Sequence, residues 1–169
     1  MSRRKVNVFL ILLTSLLTFF SPIIHAMPTR DKISILNRRV PYITRRAIER
    51  SVLKRCQGIS TNLVLSIIKV ESDFKVNAYN KRSRDFGLMQ INQWHVKKQK
   101  LSIYRLITDV DYNIKYGCEI LGWFVDKYSY LGEAIGRYNC GVKPSCIQYQ
   151  MNRRYVRLVL KHFNRLERL

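Results

Sequence analysis

Apolar positions follow two different patterns along this chain. From Val6 to Phe20 they run almost without a break, interrupted by Asn7, Thr14, Ser15 and Thr18, whereas from Pro41 onward they return with helical spacing. Ile43, Ala47, Val52 and Cys56 sit among Arg45, Arg46, Glu49, Arg50, Lys54 and Arg55, which predicts a helix with one buried stripe and a charged outer face. Gly58 closes that helix, and Ser60 is placed to cap the next. Thr61 to Asp73 is apolar on more sides, as a central helix should be. The polar run from Asn77 to Asp85 predicts an irregular loop or small hairpin. Helical spacing resumes from Asp111 to Tyr128, through Ile114, Cys118, Leu121, Val125 and Tyr128. A short helix from Leu131 to Tyr138 follows, then a basic one from about Asn152 to Leu166, with Val156, Val159, Leu160 and Phe163 as its buried stripe. There is no internal repeat and little strand signal. The pattern predicts one mainly α domain over 42–169, preceded by a basic arm, 27–41, in which Thr29 to Arg39 shows no sustained period and is expected to be loosely held.

The first apolar run belongs to a different kind of segment. Arg3, Arg4 and Lys5 precede it, and Ile24-His25-Ala26 ends in a small residue, so residues 1–26 read as a secretory signal peptide cleaved after about Ala26. The run falls short of the ~20 apolar residues of a spanning helix; an uncleaved anchor is the alternative. Cleavage leaves 143 of the 169 residues, enough for one domain with a sizeable core. Three of the 31 Lys and Arg lie in the signal, so 28 remain against 11 acidic residues. Such a field draws an exported chain to polyanions: wall polymer with its peptide carboxylates, anionic lipid head groups, or extracellular nucleic acid. Four cysteines in an exported chain read as disulfides before metal ligands, and no C-x-x-C pair is present. Of three possible connectivities, the short Gly141/Pro144 turn favours Cys140 with Cys146, leaving Cys56 with Cys118.

One carboxyl stands out chemically. Glu71 lies four residues beyond Ile67 and three beyond Ile68, so it leaves the core side of the central helix near its C-terminal end. A carboxyl held in apolar surroundings resists ionisation and can carry a proton at neutral pH. Glycosidic bond cleavage requires such a proton for its leaving oxygen. Taken alone, a Glu at a helix end is ordinarily a surface residue. Its neighbours change that reading: Glu71-Ser72-Asp73-Phe74, then Gly87-Leu88-Met89-Gln90, then Tyr138-Asn139-Cys140-Gly141 resemble, in order, the three motifs of the lytic transglycosylase SLT domain of the lysozyme-like superfamily. The match spans roughly Cys56 to Gly141.

That resemblance implies an α+β lysozyme-like fold, helical with a small loop or hairpin lobe beside the cleft. It implies Glu71 as the sole catalytic carboxyl, acid and then base, acting on the linkage between N-acetylmuramic acid and N-acetylglucosamine and leaving a 1,6-anhydro end. Ser72 would support the helix end, Gln90 and Asn92 would serve the sugar side, Tyr138 would hold the glutamate or substrate by its hydroxyl, and Asn139 would order that corner. The partner implied is peptidoglycan glycan, with no cofactor and no metal, the chain acting as a monomer.

Two departures bear on mechanism. Where the family has a small-residue loop before Gly-Leu-Met-Gln, this chain has Asn80-Lys81-Arg82-Ser83-Arg84-Asp85-Phe86, and Arg137 replaces the alanine usual before the tyrosine. The loop resembles those of small single-domain transglycosylases that accompany secretion systems, conjugation machines and pili. It also resembles animal-type lysozymes, whose Asp-aromatic-Gly-x-x-Gln-Ile-Asn string supplies a second carboxylate where Asp85 stands. Were Asp85 about 5 to 9 Å across the cleft from Glu71, two-carboxylate hydrolysis would be open; as a turn residue it would instead bond its own loop. A non-catalytic wall-binding adaptor is a further alternative, against which the retained Glu71, Gln90 and Tyr138 argue. A nucleic-acid reading rests on charge and on the basic-aromatic strings Arg153-Arg154-Tyr155 and Lys161-His162-Phe163, a weak pattern. His25, His95 and His162 are scattered and suggest no metal site.

Overall fold

The computed structural model describes residues 27–142 and 150–169. Its first element corrects an expectation. The segment taken for a loose arm forms helix α1, Thr29–Leu36, with Pro28 before its first residue and Asp31 in its first turn, both suited to a helix start. Ile33, Leu36 and Val40 are buried at spacings of three and four, which is enough to dock a short helix that is polar elsewhere. Arg30 pairs with Glu49, and Lys32 Nζ donates to Asn62 Oδ1 at 2.9 Å, so two of the arm's cations are tied down too.

Helix α2, Tyr42–Arg55, has its buried face one step from where the pattern put it. Ile48, Ser51 and Val52 are buried, with Cys56 just beyond, while Ile43 is 76% exposed and Ala47 is half-buried. Helix α3, Thr61–Ser72, starts where Ser60 Oγ accepts from the Leu63 amide at 3.4 Å. Leu63, Val64, Leu65, Ile67 and Ile68 are all essentially inaccessible, so this helix runs through the core as its composition predicts. It ends because Asp73 (φ 50°) and Phe74 (φ 66°) turn left-handed, with Asn37 Nδ2 donating to the Asp73 carbonyl at 3.2 Å and Phe74 buried beneath.

The polar segment after α3 is the small hairpin lobe. Strands β1 (Tyr79–Asn80), β2 (Asp85–Phe86) and β3 (Ile91–Asn92) form an antiparallel sheet in the order β1-β2-β3, with Tyr79 opposite Phe86 and Asp85 opposite Asn92. Helices α4 (Gln93–Gln99) and α5 (Ile103–Thr108) lead to α6 (Val110–Lys127), which carries Ile114, Cys118, Leu121 and Phe124 into the core. Helix α7 (Leu131–Cys140) and the last helix, α8 (Gln150–Glu167), close the domain, α8 packing mainly on α3 and α7. On α8 the buried residues are Asn152, Tyr155, Val159 and Leu166, and the expected Val156, Leu160 and Phe163 are flanking and partly buried. Ile33 of α1 and Leu166 of α8 share one core.

Cys56 and Cys118 form a disulfide with Cα atoms 5.3 Å apart, tying the end of α2 to the middle of α6. Cys140 is also disulfide-bonded; Cys146, its expected partner, lies outside the described residues. The Cys56–Cys118 link spans 62 residues, a loop whose closure is worth about 4 kcal/mol in chain entropy. The double variant Cys56→Ala/Cys118→Ala is therefore expected to lose about 2–4 kcal/mol in urea unfolding, with activity per folded molecule retained.

Candidate active site

Glu71 occupies the last turn of α3, where the helix leaves the core and faces α8. Tyr155, reaching in from α8, donates its hydroxyl to Glu71 Oε1 at 2.6 Å. The carboxyl keeps some solvent contact but is crowded by protein, and this desolvation pushes its pKa up to about 7. Two smaller influences oppose each other: the Tyr155 hydrogen bond favours the anion, and the negative charge of Asp85 disfavours it. At neutral pH Glu71 is thus divided between its acid and its base form, the condition for a group that must donate and then recover a proton.

The hydroxyl that holds the glutamate belongs to Tyr155; of the two expectations for Tyr138, glutamate or substrate, the first is not met. Tyr138 donates instead to the Met89 carbonyl at 2.7 Å, fastening α7 to the Gly87–Gln90 loop. Both phenols lie well above the usual tyrosine value, first through burial and then through the nearby Glu71 charge, so both remain donors. Tyr155 also leaves the basic-aromatic string of the nucleic-acid reading: it is 9% exposed and committed to Glu71, so it offers no stacking face. Asn139 Nδ2 donates to Asn152 Oδ1 at 3.2 Å, joining α7 to α8 one turn before Tyr155. Ser72 is buried, and its hydroxyl donates back to the Ile68 carbonyl at 3.2 Å, holding the helix end.

The loop opposite is built by Gly87 and Asn113. Gly87 has φ +77°, and a Cβ there would stand 2.1 Å from the Leu106 carbonyl oxygen, so no other residue fits. Asn113, 1% exposed in α6, donates from Nδ2 to the carbonyls of Phe86 (2.9 Å) and Leu106 (3.0 Å) and accepts from the Met89 amide (2.8 Å). Leu88 and Met89 are fully buried beneath this loop. Gln90, with φ 48°, is half-buried and donates from Nε2 to the carbonyls of Gly87 (2.8 Å) and Ala78 (3.4 Å).

Asp85 is engaged by its own lobe. Asn92 Nδ2 donates to Asp85 Oδ1 at 2.6 Å and to the Ser83 carbonyl at 3.0 Å, and the Ser83 hydroxyl donates to Asp85 Oδ2. Asn92 also caps α4 through the Trp94 amide. Asp85 therefore acts on Glu71 through its field while both its oxygens hold the hairpin. Two open grooves, of about 850 Å³ between α7 and α8 and about 540 Å³ beside the hairpin, are not lined by Glu71. The desolvated carboxyl, and not cavity size, marks the candidate site. Among the described residues no group of three His, Cys, Asp or Glu is placed to hold a metal.

A family model, the transglycosylase SLT domain, matches residues 52–155. The chain belongs to that family. The SLT match begins in α2 and ends on Tyr155, so it encloses every residue of the Glu71 surroundings described above. Relatives of this SLT chain include invasion protein IagB of Salmonella typhimurium, 31% identical over 65% of this chain and 71% of that one. Protein IpgF of Shigella flexneri is 32% identical over 60% of this chain and 74% of its own length. Among solved structures, an inactive mutant of lytic transglycosylase Slt from Pseudomonas aeruginosa has the same fold, with a TM-score of 0.60 at 22% identity. The match covers 79% of this chain and 25% of that one, so the present chain spans a quarter of the larger protein. The fold is thus the lysozyme-like one of SLT domains.

The Tyr155 bond makes a pH-resolved prediction. Tyr155→Phe removes a donor that stabilises the Glu71 anion, so the carboxyl holds its proton to higher pH. The alkaline limb of a pH–rate profile is expected to move upward from about 7, with the acid limb little changed. An unmoved limb, with activity lowered equally at all pH values, would show that the hydroxyl does not tune the acid.

Proposed function

We propose that this chain is an exported peptidoglycan lytic transglycosylase that cleaves the β-1,4 bond between N-acetylmuramic acid and N-acetylglucosamine and leaves 1,6-anhydromuramic ends. The observation that carries this reading is a single desolvated carboxyl, Glu71, with a pKa of about 7, beside a second carboxylate whose two oxygens are already bonded. Protonated Glu71 gives its proton to the bridging oxygen, the bond from muramyl C1 to that oxygen breaks, and positive charge develops at C1. The ionised Glu71 then takes the proton of the muramyl 6-hydroxyl as that oxygen bonds to C1. Glu71 ends protonated, as it began, and no water is consumed.

The same groups support each step. The shift of Glu71 to neutral pH serves both proton transfers, and Tyr155 stabilises the carboxylate formed between them. Gln90 and the outer edge of the Gly87 loop supply polar atoms on the sugar side. The basic surface, 28 Lys and Arg beyond residue 26 against 11 acids, suits a substrate carrying peptide carboxylates. The Asn80–Asp85 loop supports service to a wall-spanning secretion, conjugation or pilus assembly.

Digestion of purified sacculi followed by mass spectrometry tests the reaction: anhydromuramic ends are expected, and reducing ends alone would assign hydrolysis. Asp85 gives the second arm. A hydrolase using Asp85 as its second carboxylate would lose at least about a hundredfold on Asp85→Asn. The anhydro route predicts that Asp85→Asn retains activity, with the alkaline limb moved below about 7, because the charge that raises the Glu71 pKa is gone. Its direction is opposite to that of Tyr155→Phe.

A further inference from the structure

The outer face of α2 has a composition that neither the core nor the Glu71 site uses. At 100° per residue, Tyr42, Leu53, Arg46, Arg50, Ile43 and Lys54 fall, in that angular order, within one arc of about 120°. Tyr42 is 55% exposed, Ile43 76% and Leu53 60%, and Arg46 and Arg50 between them and Lys54 at the edge are exposed as well. Single exposed apolar residues are ordinary, but three large ones interleaved with three cations on one helix face form a patch. Arg38 and Arg39, just before the helix, extend it with two further exposed cations.

The charges of this face have no acid of their own. Glu49, the acidic residue of α2, is taken by Arg30, and Asp111 on α6 is taken by Arg55 at 2.5 Å. Arg46, Arg50 and Lys54 form no ion pair within 4 Å among the described residues: Lys54 reaches Asp111 and Arg46 reaches Glu49 only through their fields, and Arg46 bonds the Tyr42 hydroxyl at 3.2 Å with its guanidinium 6.0 Å from that ring's centroid. A protein partner covering the arc would need acids at the spacing of the cations and apolar pockets between them. A bilayer surface with anionic head groups offers both without any register: phosphates for the cations, and the acyl boundary for Tyr42, Ile43 and Leu53. Among the described residues no helix is long and apolar enough to cross a membrane, so α2 would lie in the interface plane.

We infer that α2 docks this domain on an anionic membrane surface through Tyr42, Ile43 and Leu53 with Arg46, Arg50 and Lys54. The inference stands apart from the reaction proposed above, since none of the six residues belongs to the Glu71 site. It places the enzyme on the bilayer, with α2 turned to the lipid and packed from behind by α1, α3 and α6.

Vesicle sedimentation tests this at physiological salt, using the chain from Met27 to Leu169, which holds every core residue among the described residues, Ile33 to Leu166. Vesicles of phosphatidylcholine with phosphatidylglycerol are expected to bind it, and phosphatidylcholine alone far less. Arg46→Ala, Arg50→Ala and Lys54→Ala should each weaken binding about fivefold, and Ile43→Ser/Leu53→Ser at least about tenfold. Thermal unfolding and cleavage of soluble wall fragments should be unchanged in all of them. Three results would overturn the inference: no binding to the anionic vesicles, unchanged binding of Ile43→Ser/Leu53→Ser, or an equal loss from Arg153→Ala/Arg157→Ala/Lys161→Ala on α8. The last would mean that general basic charge, and not the α2 face, meets the membrane.

Discussion

Glu71→Gln is expected to abolish wall cleavage, lowering turnover by at least about a thousandfold while the fold is kept. The amide has nearly the same shape and can still accept from Tyr155, but it has no proton to give and cannot recover one. The same substitution should reveal what the acid costs the native state. The Glu71 pKa is raised from 4.5 to about 7 in the folded protein, so folding binds a proton between those values and stability falls as pH rises through that window. Above pH 7 the glutamine variant, free of that burden, is expected to be more stable than the parent, by up to about 3 kcal/mol before allowance for solvent screening. Below about pH 4.5 the gain should vanish. Turnover on sacculi and urea unfolding at pH 4 and pH 8 check both halves. Retained cleavage would remove Glu71 as the acid, and a stability gain equal at both pH values would remove desolvation as the origin of its shift.

Gly87→Ala should have the largest effect of any single change outside Glu71. Two penalties coincide there: a left-handed backbone, and a methyl group that would stand 2.1 Å from the Leu106 carbonyl oxygen and 2.2 Å from Asn113 Nδ2. Neither is the far end of a flexible chain. The Leu106 atom is backbone, and Asn113 is fixed by three hydrogen bonds of its own. The expected loss is about 4 kcal/mol or more in urea unfolding, together with most of the activity, because the Gln90 turn and the Met89 carbonyl that receives Tyr138 shift with the loop. A variant that unfolds normally and retains cleavage would show that the loop has slack this packing denies.

Which parts of the site were legible in the sequence follows from the range of the interactions involved. Glu71 was visible because helical spacing is local: Ile67 and Ile68 define the face from which it departs. Ser60 as a cap was local in the same way, whereas Cys56 with Cys118, 62 positions apart, was readable only as the pair left once the short Gly141/Pro144 turn assigned Cys140 to Cys146. Tyr155 was not, because its partner lies on another helix. Its spacing of four from Val159 puts it on the buried row, but it follows two arginines, and a stripe through Val156, Val159, Leu160 and Phe163 accounts for the helix without it. Asn113 was hidden in a helix whose apolar positions explained themselves, since nothing in one sequence marks an asparagine whose partners are backbone groups of a distant loop. The α1 segment failed for a different reason: three apolar residues are too few to show a period, yet enough to dock. Ile43 errs the other way, since it fits the helical repeat but the helix is rotated so that Ile48 and Val52 face the core.

The bond between Glu71 and Tyr155 crosses 84 positions of the chain, and its donor stands near the start of the last helix. A chain emerging from the ribosome therefore displays the glutamate long before the hydroxyl that tunes its proton affinity. The tuned acid comes into being late in synthesis, when α8 arrives and docks, so an interrupted copy would carry the motif without the completed chemistry.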